Sequence, residues 1–349
     1  MSETSGQNGP EDHIHFTDQG SAAPQPPGPP ARSRRKTRIV LLSVASCVVL
    51  LGAVAVGAYV YVNHLASGVH RVRVTLPKVP GGQSVGGMTV LITSASEPGT
   101  SGLIMLMHLD AHDKKGGVVS IPPPTLVQVP GHGLKPIDTA LGLGGPSLLV
   151  KTVEQLTHVQ IDHYARIEFT GVSNLSNVIG GVNVTLAKET VAKASATSQK
   201  KTVTKEYTFP AGVNHLDGIT AVYYVRNPSV PADSRVLLQQ SLLRAILGKI
   251  ANEHMLTEPL TAVHVVRALA AMLTVDSNFT NSEVEGFATQ LDKVGGSGGT
   301  FVTAPTHTVS GHVYLNSPVS DQLWAAIRHD SIAAFAAKYP ATLTPSSPA

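Results

Sequence analysis

Apolar residues are distributed along this chain in three distinguishable ways. The first is a single long uncharged run, Ile39 to Val62, about as long as the ~20 helical residues that cross a bilayer. Arg32, Arg34, Arg35, Lys36 and Arg38 precede it, so the pattern predicts one transmembrane helix with the N-terminus cytoplasmic and the bulk of the chain outside. A cleaved signal peptide is the alternative, but Ala58-Tyr59-Val60-Tyr61 is a poor small-residue cleavage site, and its tyrosines suit a membrane interface. The second is a set of short β-branched runs. Val90 to Ile92 and Leu103 to Asp110 flank a polar loop, and Val118 to Ile121 ends at Pro122, Pro123 and Pro124. A polar loop held between central strands is a natural place for a site.

The third pattern is helical. In Ser147 to Leu156, after Gly144-Gly145-Pro146, apolar residues recur at three- and four-residue spacing. Leu237 to Glu253 has the same period, as do Leu260 to Leu273, Val284 to Leu291 and Leu323 to Phe335, the last read as one amphipathic helix. Between them, Tyr164 to Phe169 and Val182 to Leu186 alternate as strands, and Leu175 to Ile179 is a short helix closed by Gly180-Gly181. Leu216 to Val225 reads as a helix running into a strand-like Val222-Tyr223-Tyr224-Val225. Lys188 to Lys205 is polar without aromatic residues and reads as a mobile surface insertion. Strands interleaved with helices define an α/β fold, a central mixed β-sheet flanked by helices, preceded by one transmembrane helix and a disordered tail.

The expected division of the chain is a Pro-rich cytoplasmic tail with its basic flank over 1–38, the membrane helix over 39–62 and a membrane-proximal spacer over 63–87, in which Val69 to Leu76 reads as a short strand. An extracytoplasmic domain over 88–335 and a frayed tail over 336–349 complete it. The hydrophobic content of 42% is ample for a large core, and the net charge of +3 gives no argument for nucleic acid. Cys47, the one cysteine, lies in the apolar run, so the domain folds without an internal disulfide. No His-Glu-x-x-His run, cysteine pair or Walker loop is present, and His108, His112, His132, His158 and His163 show no zinc-site spacing.

The motifs nevertheless occur in a recognisable order. Thr93-Ser94-Ala95, Thr100-Ser101-Gly102, Ser120-Ile121-Pro122-Pro123-Pro124, Ile161-Asp162-His163-Tyr164, Ile179-Gly180-Gly181-Val182, Leu216-Asp217-Gly218, Tyr224-Val225-Arg226, Arg235 and Gln239-Gln240 together resemble the LytR-CpsA-Psr family of bacterial cell-envelope proteins. The resemblance spans about residues 88–250 and runs on more weakly to about 330. It implies a mixed sheet with helices on both sides and a greasy cavity for a lipid. It also implies the transfer of glycan polymers from polyprenyl-pyrophosphate carriers to the cell wall.

At the positions that matter for that chemistry the chain departs from the family. The family's Gly-Ser-Asp reads Thr93-Ser94-Ala95, its Arg-Ser-Asp reads Thr100-Ser101-Gly102, and its Ser-Ile-Pro-Arg-Asp reads Ser120-Ile121-Pro122-Pro123-Pro124. Thr100, Pro123, Pro228 and Leu238 stand where relatives carry arginine. A magnesium ion needs carboxylates and a departing pyrophosphate needs arginine forks, so the expectation is a catalytically degenerate member with no catalytic residues and no metal of its own. Arg226, Arg235 and Gln239 survive as candidate ligands of a polyprenyl phosphate, with structural ion pairing as the other reading for the arginines. Expected partners are the membrane and either a polyprenyl-phosphate-linked glycan or a family paralogue. A divergent but active phosphotransferase, which would need Mg2+, is the alternative, with Glu97 as a displaced acid.

Overall fold

The structure, a computed structural model, describes residues 69–77, 87–95, 101–110, 116–198, 201–227, 229–230, 232–288, 290, 294 and 299–344. The expected tail and membrane helix lie outside these residues, and no helix among the described residues is long and apolar enough to cross a membrane.

The chain enters the fold with strand β1 (His70–Val72), followed by β2 (Met88–Ala95), β3 (Ser101–Leu109) and β4 (Gly116–Ser120). The hairpin β5 (Leu126–Val129) and β6 (Gly133–Pro136) leads to helix α1 (Ala140–Thr157), strand β7 (His163–Ile167) and α2 (Phe169–Val178). Next come β8 (Val182–Leu186), β9 (Thr190–Ser198), β10 (Lys201–Phe209), β11 (Gly212–Leu216), α3 (Gly218–Val225), α4 (Ala232–Asn252) and α5 (Pro259–Met272). The described chain ends with β12 (Leu273–Asp276), α6 (Asn281–Ala288), β13 (Thr300–Thr303), the hairpin β14 (Thr306–Val309) and β15 (His312–Leu315), then α7 (Val319–Arg328) and α8 (Ile332–Lys338).

Seven strands form the central sheet in the order β1-β12-β7-β2-β3-β4-β13. Parallel pairs (β1 with β12, β2 with β7, β4 with β13) mix with antiparallel ones, as expected. Strand β3 shows why both faces need cover. Leu103, Met105, Met107 and Leu109 enter one apolar cluster with Leu175, Tyr224, Leu238, Leu242 and Val265, whereas Ile104 and Leu106 enter another with Leu149, Val153, Trp324 and Phe335. A strand apolar on both faces belongs between two helical layers.

Several local expectations change. The short strand expected over Val69–Leu76 is present as His70–Val72, but it is the edge strand of the sheet, paired with β12, and so part of the domain and not of a spacer. Residues 188–205 lie largely in the antiparallel hairpin β9–β10, with Thr190 opposite Phe209 and Lys193 opposite Glu206. Buried Ala192 and Phe209 root that hairpin in the core, which its polar composition concealed. Val222-Tyr223-Tyr224-Val225 is helical: Asp217 and Thr220 form a capping box at the start of α3, and burial of Tyr224 and Val225 overrides their β preference. Strand β7 stops at Ile167, and Phe169 begins α2 instead.

The regular part of α1 resumes at Pro146 after a break in which Gly145 takes φ 69°. The expected helix over Leu323–Phe335 divides into α7 and α8 at Asp330, which has φ 51°. Residues 336–344 are docked, not frayed. Thr344 donates its N–H to the Phe301 carbonyl at 3.0 Å, and Arg244 donates to the Thr344 carbonyl at 3.1 Å.

Candidate functional site

The two loop positions at which the family resemblance implies acids come together in space. Ser94 pairs with Leu103 and Ala95 pairs with Ser101, so Gly102 is the extra residue of a bulge in β2–β3, directly beside Ala95. A bulge at a strand end re-aims the side chains around it. Here there is a methyl group and no side chain to re-aim. Ser94, in line with Val90 and Ile92, is fully buried. Magnesium does not fit this donor set, because it wants carboxylate oxygens and the described residues supply none at the bulge.

Leu238, a position at which the family resemblance implies arginine, is 2% exposed and packs in the cluster that contains Leu103 and Met105. Pro123 is likewise buried, inside a turn in which Thr125 donates to the Pro122 carbonyl at 3.1 Å. Neither residue can offer a charged donor.

The three candidate phosphate ligands lie around the junction of α3 and α4. Arg226 is exposed at the end of α3, its N–H bonded to the Val222 carbonyl at 3.0 Å. Gln239 is buried and donates from Nε2 to the Val225 carbonyl at 3.3 Å, which brings the first turns of α4 against the end of α3. Arg235, one helical turn before Gln239, is half-buried and donates from Nη2 to the Val230 carbonyl at 3.3 Å. Asp233, two residues before it in sequence, has a side chain outside the described set.

The junction also holds polar groups with no hydrogen-bond partner: Asn227 Nδ2, Arg235 Nε, Gln239 Oε1 and both amide atoms of Gln240. Leaving such groups buried and unmatched costs about 1–3 kcal/mol each. Three of these atoms, Asn227 Nδ2, Arg235 Nε and Gln240 Nε2, are donors suited to phosphate oxygens. Gln240 entered the sequence reading only as part of the Gln239-Gln240 motif, and Asn227 did not enter it, although an Asn before a proline is a turn signal. Tyr224, whose hydroxyl lies 2.9 Å from that of Ser241, braces the same junction, and burial pushes its pKa up to about 12, so it stays neutral.

Other candidates resolve into structure. Arg166, a cation on β7, is held in a surface ion pair with Glu168 at 2.7 Å. A cavity of about 620 Å³ is lined by Leu237, Pro305, Val319, Tyr339 and Leu343, and none of the three candidate ligands reaches it.

This bulged mixed sheet with a polar α3–α4 junction defines a class of protein that comparison makes specific. The model of the LytR_cpsA_psr family matches residues 86–322, and the chain belongs to that family. It is 26% identical over 280 residues to the "Probable cell wall biosynthesis protein LcpB" of Corynebacterium glutamicum, covering 73% of this chain and 65% of LcpB, less than two thirds of that relative. It is 27% identical over 241 residues to the polyisoprenyl-teichoic acid–peptidoglycan teichoic acid transferase TagT of Bacillus subtilis, covering 62% of this chain and 70% of TagT. Among solved structures, the LytR-Csp2A-Psr enzyme from Actinomyces oris superposes with a TM-score of 0.58 at 18% identity, over 74% of this chain and 95% of that one. TagT superposes with a TM-score of 0.52 at 21% identity, over 75% and 99%. These two likenesses establish the shared fold.

Proposed function

We propose that this chain is a membrane-anchored, extracytoplasmic cell-envelope protein that binds polyprenyl-phosphate-linked glycan, or a working paralogue carrying it, without transferring the glycan. One observation carries the reading: Ala95 and Gly102 sit side by side at the bulge where acids would have to converge. The unmatched donors at the α3–α4 junction support phosphate binding, since each could exchange a buried unsatisfied state for a charge-assisted bond. The names of LcpB and TagT support a role in cell-wall assembly.

Topology follows from the basic flank before Ile39 and the uncharged run to Val62. A reporter fused after Ala349 is expected to be active only outside the cytoplasm, and activity inside would overturn the anchor reading. The binding test is titration of the full-length protein with a polyprenyl phosphate, with and without Mg2+. Saturable binding of equal affinity in both conditions is expected. Binding that appears only with Mg2+ would favour the divergent phosphotransferase.

A further inference from the structure

We propose that His108, Asp110 and Asp330 form a binding site for one divalent transition-metal ion of the zinc class, which pins the α7–α8 corner to the sheet. His108 and Asp110 are two residues apart at the end of β3 and therefore share a face. Asp330 reaches the same point from the left-handed turn between α7 and α8. His108 Nε2 lies 2.7 Å from Asp330 Oδ1 and 3.5 Å from Asp110 Oδ1, and the three candidate donor atoms all fall within 4.8 Å of one another. The group is enclosed: His108 is 0% exposed, Asp110 9% and the Asp330 side chain 14%.

Two enclosed carboxylates thus face one imidazole nitrogen, Asp330 at 2.7 Å and Asp110 at 3.5 Å. A divalent cation between them would neutralise both. Zinc holds imidazole nitrogen and carboxylate oxygen at about 2.0–2.2 Å, which for tetrahedral angles separates donors by about 3.3 Å. The observed 2.7 and 3.5 Å bracket that value. Thr89 Oγ1 lies 2.9 Å from His108 Nδ1, so a proton held on Nδ1 leaves the Nε2 lone pair facing the carboxylates. Three protein ligands leave a fourth place for water, and the imidazole favours a transition metal over Mg2+ or Ca2+.

This site is separate from the one described above. Thr89, opposite His108, is six residues from Ala95 along β2, about 20 Å, and lies on the other face of the sheet from Val90 and Ile92. Asp330 lies beyond residues 86–322, the segment matched to the family.

The test is titration of untagged, full-length protein, stripped with a chelator, with Co2+ as spectroscopic probe and then Zn2+ as competitor. Expected are one Co2+ per chain with visible ligand-field absorption, its displacement by Zn2+, and a rise in melting temperature with either metal. Asp110→Asn and Asp330→Asn, which keep shape and remove charge, should each weaken binding at least about tenfold, with folding checked by circular dichroism. No one-to-one binding by the wild type, or equal binding by the folded variants, would overturn the site and leave a hydrogen-bonded clasp. Should the variants not fold, X-ray absorption of the one-to-one Zn2+ protein decides. A shell with one imidazole and otherwise oxygen supports the site; no imidazole, or more than one, overturns it.

Discussion

Gln239 donates its amide to the carbonyl of Val225 at 3.3 Å, immediately before Arg226, so one candidate phosphate ligand is tied to the helix end that presents another. If the α3–α4 junction holds phosphate, Arg226 and Arg235 each supply a charge-assisted bond of about 1.5–3 kcal/mol. The double variant Arg226→Ala/Arg235→Ala is then expected to weaken polyprenyl phosphate binding by about 3 kcal/mol or more, measured by calorimetry. Unchanged affinity would assign both arginines to structure.

The Tyr224–Ser241 pair makes an asymmetric prediction about stability. Ser241 Oγ lies 2.9 Å from the Tyr224 hydroxyl and also donates to the Leu238 carbonyl at 2.9 Å. Tyr224→Phe leaves Ser241 its bond to Leu238 and should cost about 1 kcal/mol. Ser241→Ala strands a buried phenol and should cost up to about 3 kcal/mol. Urea unfolding of both variants checks the order, and a larger loss for Tyr224→Phe would show that Ser241 is not the partner that matters.

Glu154 sets a pH dependence. Burial pushes its pKa up from 4.5 to about 7, against the lowering effect of the Ile161 N–H it accepts at 3.1 Å, while neighbouring Asp162 adds to the rise. Between pH 4.5 and about 7 the folded state therefore binds more protons than the unfolded one, and this residue's contribution is lost as pH rises through that window. Glu154→Gln keeps an acceptor for Ile161 and carries no charge. It is expected to gain on the order of 1–3 kcal/mol over the wild type at pH 8 and little at pH 4. Thermal melts at both pH values check this, and an equal shift at both would remove the titration of Glu154 from the account.

The order of the central strands' sequence patterns was legible because β3 is apolar on both faces and Pro122–Pro124 stop β4's run. Period and length also identified α4. What composition hid was decided by tertiary contact. Ala192 and Phe209 turn a polar stretch into a rooted hairpin, Tyr224 turns a β-rich run into a helix, and Asp330 divides one apolar period into two helices. At the site, sequence matching named Ala95 and Gly102 separately; that they are neighbours follows from the bulge register, which no local pattern encodes. The meeting of His108 with Asp330 spans 222 positions and had no signal beyond the His-x-Asp spacing on β3.

The adjacency of Ala95 and Gly102 leads to the last prediction, that the chain has glycan-transfer and pyrophosphatase activity near background. Charge-stabilising groups at a reacting centre are commonly worth several kcal/mol each, and each ~1.36 kcal/mol is about a factor of ten in rate. Here the two acid positions are a methyl and a glycine, and Leu238 and Pro123 are buried where arginines are implied. Ala95→Asp alone should restore nothing, because the carboxylate would stand beside Gly102 with no second acid. Ala95→Asp/Gly102→Asp would supply two carboxylates at the bulge and should create Mg2+ binding before it creates turnover, since the lost arginines remain lost. The assay compares wild type and both variants with TagT on a pyrophosphate-linked lipid with Mg2+. Wild-type turnover within about tenfold of TagT, roughly 1.4 kcal/mol in barrier, would overturn the binding-protein reading and make the divergent phosphotransferase the better account.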